Sequence, residues 1–166
     1  MKKIIIALFA VFGVATSVSA QKFGHVDTQS IMQSLPEVTK ANGELQATAQ
    51  QYENELKTMQ DEIQRKADEY DKQKATMNAT QQQATEQELQ QLYTKLQEAY
   101  QQNQQNIQKK QEELMAPINK KIMTAIENVG KAGNYTYIVP AGSFPYIGPG
   151  STDVTAAVKA EINKIK

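Results

Sequence analysis

A single histidine, no cysteine and scattered carboxylates are all that this 166-residue chain offers to catalysis. His25 stands in a short apolar run with no partner cluster at metal-ligand spacing, so a structural or surface role outweighs ligation or base catalysis. The neighbouring pairs Asp61-Glu62 and Glu112-Glu113 have the residue types of an acid–base couple. They fall in long polar helical stretches without a pocket-forming context, where solvated charge is the better reading. The glycines from Gly142 to Gly150 match neither a phosphate loop nor a dinucleotide fingerprint. Without cysteine there is no disulfide, thiol nucleophile or thiolate metal site. The expectation is a protein with no enzymatic activity, no cofactor, no metal and no small-molecule substrate.

What remains is the chemistry of contact. Tyr52, Met59, Tyr70, Met77, Leu92, Tyr93, Leu96 and Tyr100 are spread through a polar, helical region. Two slender helices cannot fully enclose this set in one seam, so part of it is expected to meet a partner. Met and Tyr suit weak and varied contacts, being adaptable and amphipathic. For any one of these residues packing in the seam is the stronger expectation; for the set, partner contact is.

These residues are carried by the stretch from Pro36 to Gly130, which contains one internal glycine, Gly43, and one internal proline, Pro117. Apolar residues recur from Val38 through Ala41, Leu45, Tyr52, Leu56, Ile63 and Ala67 to Tyr70, and again from Leu89 through Leu96, Ile107, Leu114, Ile118 and Ile122 to Val129. The steps are mostly threes and fours, the spacing of one helical face. Between Met77 and Leu89 there is no strong hydrophobe, and Thr85 followed by Glu88 has the pattern of a capping box, as does Thr80 followed by Gln83. The sequence therefore predicts two long helices folded into an antiparallel hairpin over 36–117, with the tip near 78–85; one continuous rod is the competing reading. Runs of Gln lie on outward positions, where they read as a solvated helical face.

Residues 1–20 comprise Lys2-Lys3, an apolar run from Ile4 to Val14, and the small residues Ser17 to Ala20. That is the order of a secretory signal peptide, cleaved after Ala20, and the run is short for a membrane span. Loss of Lys2 and Lys3 leaves 16 basic against 18 acidic residues. This near-neutral balance gives no electrostatic footprint for nucleic acid.

Phe23–Val26 reads as a strand, Asp27-Thr28 as the cap of a short helix to Leu35, and Ser34 with Glu37 as a capping box opening the first arm, with Pro36 in its first turn. Pro117 predicts a kink. Gly130 and Gly133-Asn134 end the second arm, Tyr135–Val139 reads as a strand and Phe144–Ile147 as a second, edge strand, and Ser151-Thr152-Asp153 as the cap of a last helix. The fold class is thus α+β, predominantly α: a long helical hairpin rising from a small β body, 21–35 with 118–166. Three short strands make a poor isolated sheet, so the body is expected to be completed by association of subunits, with Phe23, Val26, Tyr135, Tyr137, Ile138 and Val139 at the contact.

This arrangement resembles the Skp/OmpH periplasmic chaperones of Gram-negative bacteria. The resemblance runs over essentially the whole chain, on Phe23-Gly24-His25-Val26-Asp27, Leu35-Pro36-Glu37, Ala116-Pro117-Ile118, the run from Gly133 to Val139, and Asp153-Val154-Thr155. It implies a homotrimer in which three hairpins surround a cavity that holds unfolded outer-membrane β-barrel proteins without ATP. The well-known members are strongly basic, whereas this chain is near neutral, so electrostatic capture and binding of lipopolysaccharide or membrane are not carried over. The alternative reading is a structural coiled-coil spacer or adaptor of the cell envelope with one fixed partner.

Overall fold

The structure, a computed structural model, describes residues 21–165; the predicted signal segment lies outside them. Strand β1 (Phe23–Val26) leads to helix α1 (Thr28–Ser34) and the first long helix α2 (Pro36–Gln73). A turn of 3-10 helix follows, then α3 (Ala79–Ala132), β2 (Tyr137–Pro140), β3 (Ser151–Asp153) and α4 (Thr155–Ile162). Helix α2 has 38 residues, a length of about 57 Å at 1.5 Å per residue.

Asp27 caps α1 as its sequence position predicts, its Oδ1 accepting from the Ser30 backbone N–H at 2.8 Å. The second capping box does not form. Leu35 occupies the N-cap of α2 without a side-chain bond, and the Ser34 hydroxyl turns back to donate to the Ile31 carbonyl at 2.7 Å. Pro36, at the first helical position, lacks an N–H that would have no partner within the helix there.

The hairpin turns earlier than Thr85. The 3-10 turn covers Lys74–Thr76, and Asn78 and Gln81 form the reciprocal box that starts α3: Asn78 Oδ1 accepts from the Gln81 N–H at 2.9 Å, and Gln81 Oε1 from the Asn78 N–H at 3.0 Å. Thr85 lies inside the helix with its hydroxyl donating to the Gln81 carbonyl. Pro117 does not end α3, which is helical on both sides of it. Beside it lies a small cavity of ≈ 250 Å³ lined by Ala41, Leu114 and Ile118.

At the root of the hairpin the chain closes a three-stranded parallel sheet in the order β2-β1-β3. Phe23 pairs with Tyr137 and Ser151, and His25 with Val139 and Asp153. The expected edge strand at Phe144–Ile147 is loop, because Pro145 removes a ladder donor there; Ser151–Asp153, read from sequence as a cap, is the third strand. The N-cap of α4 is Val154, which offers no side-chain bond; Asp153, one residue earlier, accepts from the Thr155 N–H at 2.9 Å and from its hydroxyl at 2.6 Å. The core lies between the sheet, α1, α4 and the roots of α2 and α3: Val26, Ile31, Leu35, Ala41, Ile118, Ile122, Ala125, Val154, Val158 and Ile162 are all buried.

Both hydrogen bonds from Thr155 hold the Asp153 carboxyl below its ordinary value of 3.8. Because the folded pKa is the lower one, the stabilisation is complete above about pH 4 and is lost as pH falls through the folded value. Melting temperature is expected to drop on acidification through that window, and less steeply in Asp153→Asn; an identical acid limb in both proteins would show that this contact carries no pH dependence.

Candidate functional site

Two surfaces emerge from these elements. The first is the face of the sheet turned away from the helices. Side chains alternate along a strand, and the register puts Phe23 and His25 of β1, Tyr137 and Val139 of β2, and Ser151 and Asp153 of β3 on that outer face. The Phe23 and Tyr137 rings stack at 6.2 Å and 10°, and both remain exposed, Tyr137 to 64%. His25 Nδ1 lies 3.0 Å from the Ser151 hydroxyl, which is the partner that its position gives it.

The opposite face belongs to the subunit itself. Val26 is 1% exposed within the core, and Ile138 and Tyr135 pack against that core. A side chain at Gly24 would come within 3.1 Å of the Tyr135 ring and 3.2 Å of Ile138, so glycine is what lets these two residues lie over β1. Lys22 covers the other side of Tyr135, its Nζ 4.1 Å from the ring centroid. Of the six residues assigned to subunit contact, Phe23, Tyr137 and Val139 thus lie on the outer face. Val26 is enclosed by its own chain, and Tyr135 and Ile138 are directed mainly to the same core. Period-two alternation separates Val26 and Ile138 from the outer three once the pairing register is known; Tyr135 precedes β2 and is placed by its contact with Gly24 instead.

The second surface is the arm. Ile63 and Tyr70 are buried in the seam. Tyr70, one of the set of candidate contact residues, packs in the seam: its hydroxyl donates to Glu86 across the hairpin at 2.5 Å, and that carboxylate pushes the phenol up to about 12. Lys66 pairs with Glu88, and the Lys74 ammonium sits 5.2 Å from the Tyr70 ring. Polar contacts therefore zip the end of the hairpin. Tyr52, Met59, Met77, Leu92 and Leu96 are half-buried, whereas Tyr93 and Tyr100 stand 52% and 44% exposed.

Midway along the arm the seam opens into a groove of ≈ 550 Å³ with Tyr52, Leu56, Tyr100 and Ile107 among its lining. Leu56 and Ile107 were not singled out from sequence as contact residues, although both lie on the periodic stripes. Also unforeseen are Met123, Phe144 and Tyr146, exposed to 64%, 55% and 78% on the body. The two aromatics flank Pro145, the proline that argued against a central strand there.

Among the described residues no group of three or more His, Asp or Glu side chains is gathered as a metal site. No helix among them is long and apolar enough to cross a membrane.

The family model for outer membrane protein (OmpH-like) matches residues 22–162, from the first strand to the last helix. The chain belongs to the OmpH-like family. The OmpH-like fold is also that of a solved structure, a candidate outer membrane chaperone (OmpH-like) from Caulobacter crescentus. The two superpose with a TM-score of 0.75, covering 87% of this chain and 85% of that one. Their sequences are 17% identical, so what this likeness establishes is the shared fold. No curated protein matches this OmpH-like sequence.

Proposed function

We propose that this OmpH-like protein is an ATP-independent periplasmic holdase that binds unfolded outer-membrane β-barrel proteins in a cavity between three arms and prevents their aggregation. In this reading three subunits join through the outer faces of their sheets, 21–35 and 118–166 form the association body, and 36–117 is the arm. In this reading the protein acts by binding and not as an enzyme. The signal segment ending at Ala20 would place it in the periplasm.

The observation that carries the reading is the uneven burial along the hairpin. At the root the seam is closed over Ile118, Ile122 and Ala125, but further out Tyr52, Met59, Leu92 and Leu96 are only half-covered and Tyr93 and Tyr100 are exposed. Unfolded barrel strands alternate apolar and polar residues and aggregate through the apolar ones. Many weak aromatic contacts on three tethered arms raise the effective concentration of each, giving retention without fuel.

A urea-denatured outer-membrane barrel diluted into buffer with a modest excess of the trimer is expected to stay clear in light scattering. Unsuppressed aggregation would reject the holdase. Capture of one folded envelope protein, with no unfolded client held, would favour the spacer or adaptor.

A further inference from the structure

The mid-arm groove has more character than a gap between helices. Its floor is apolar and aromatic: Tyr52 and Leu56 from α2 face Tyr100 and Ile107 from α3. The α2 rim carries Glu53, Lys57 and Asp61, four residues apart on one helical face. From Glu53 to Asp71 that helix has seven carboxylates against Lys57, Arg65 and Lys66, a net charge of −4. The facing stretch of α3, Glu86–Ile107, adds Glu86, Glu88 and Glu98 against Lys95 and does not compensate it. Two of the three cations are already committed, Arg65 to Glu69 and Lys66 to Glu88.

We propose that this groove is a docking site for an extended, unfolded polypeptide segment that alternates apolar or aromatic residues with lysine or arginine. The inference rests on the holdase reading and specifies what that holdase selects. Between Ala49 and Asp61 the groove runs for about 18 Å at the helical rise, which accommodates roughly five residues of extended chain. Alternate side chains of such a segment would enter the aromatic floor while the others face the rim carboxylates. Gln60, Asn103 and Gln104 also line the groove. Their amides both donate and accept, so they can satisfy an unpaired strand backbone without demanding a sequence. Tyr rings add an affinity for cations over their faces. The molecule uses that contact twice on itself, with Lys22 over Tyr135 and Lys74 over Tyr70. The Tyr100 hydroxyl accepts from Gln60 Nε2 at 3.1 Å, which fixes the ring's polar edge at the groove.

The test uses the whole mature protein and two fluorescent peptides of equal length and aromatic content, one with Lys and one with Glu at the polar positions. Fluorescence anisotropy is expected to show the Lys peptide binding about tenfold tighter at low salt, with the difference shrinking as salt screens the rim. Glu53→Gln with Asp61→Asn should remove most of that preference and leave the Glu peptide unaffected. Tyr100→Ala should weaken both. Equal binding of the two peptides, or a preference for Glu, overturns the proposal. If neither peptide binds while a diluted barrel protein is still kept soluble, the groove assignment is wrong and the holdase stands; if neither peptide binds and the barrel aggregates, both fall.

Discussion

Replacing Phe23 and Tyr137 together by aspartate is expected to convert the proposed trimer into folded monomers and to abolish suppression of barrel aggregation. Both rings lie outside the subunit's own core and stack on the sheet's exposed face. Covering a ring of this size contributes about 2–3 kcal/mol, and a trimer covers six of them. Two carboxylates per subunit in the same place would be buried without partners, which costs several kcal/mol more. Sedimentation should report single-chain mass, while circular dichroism should show an unchanged helix content and a melt lowered by the lost association. A trimer that survives the double substitution would place the subunit contact elsewhere. Ile138→Asp would not serve for this purpose: Ile138 packs against the chain's own core, so a charge there is expected to destabilise the fold itself.

Ile31→Ala is expected to lower stability by about 2–5 kcal/mol, a large part of the margin of a domain of this size. Ile31 is 0% exposed and sits where α1 meets Val26, Val158 and the roots of the long helices. This core is small, so little can close over the cavity. Chemical denaturation should show the midpoint falling with an unchanged slope. A loss below about 1 kcal/mol would mean that the site collapses around the alanine and that the body is less tightly packed than it is drawn. The comparison with Tyr100→Ala is informative, because that residue is 44% exposed and its truncation should act on client binding far more than on the melt.

The periodic stripes made the two long helices legible, since a 3.6-residue repeat sustained over ten turns has few competing explanations. The turn was harder. Between Met77 and Leu89 the sequence offers Thr85 with Glu88 and Thr80 with Gln83 as capping boxes, and neither starts the helix. The structure uses Asn78, and Gln82 closes the turn by donating to the carbonyls of Lys74 and Met77. Moving the turn changes the register between the arms, and register is what brings Glu86 to Tyr70. That pairing turns an apparent contact residue into part of the seam, and no single-helix pattern reveals it. The third strand was missed for a related reason. Ser151-Thr152-Asp153 has the composition of a helix cap, and only the partner strand β1 makes it extended. On the outer sheet face, Phe23 and Tyr137 were foreseen from their types; Val26 was not separable from them until the alternation of the paired strands was fixed.

The parallel sheet has a consequence for how the molecule is made. Its central strand precedes the other two, and both of these neighbours come from more than a hundred residues further along the chain. The limbs can zip as soon as their own residues emerge, through short-range turns and contacts across the bend. Strand β1 has no ladder partner until nearly the last segment arrives, so the hub is the final part of each subunit to set. In the proposed trimer, subunits would not join before β3 is made, and a chain stopped short of Ser151 would carry complete limbs on a sheet that lacks one edge.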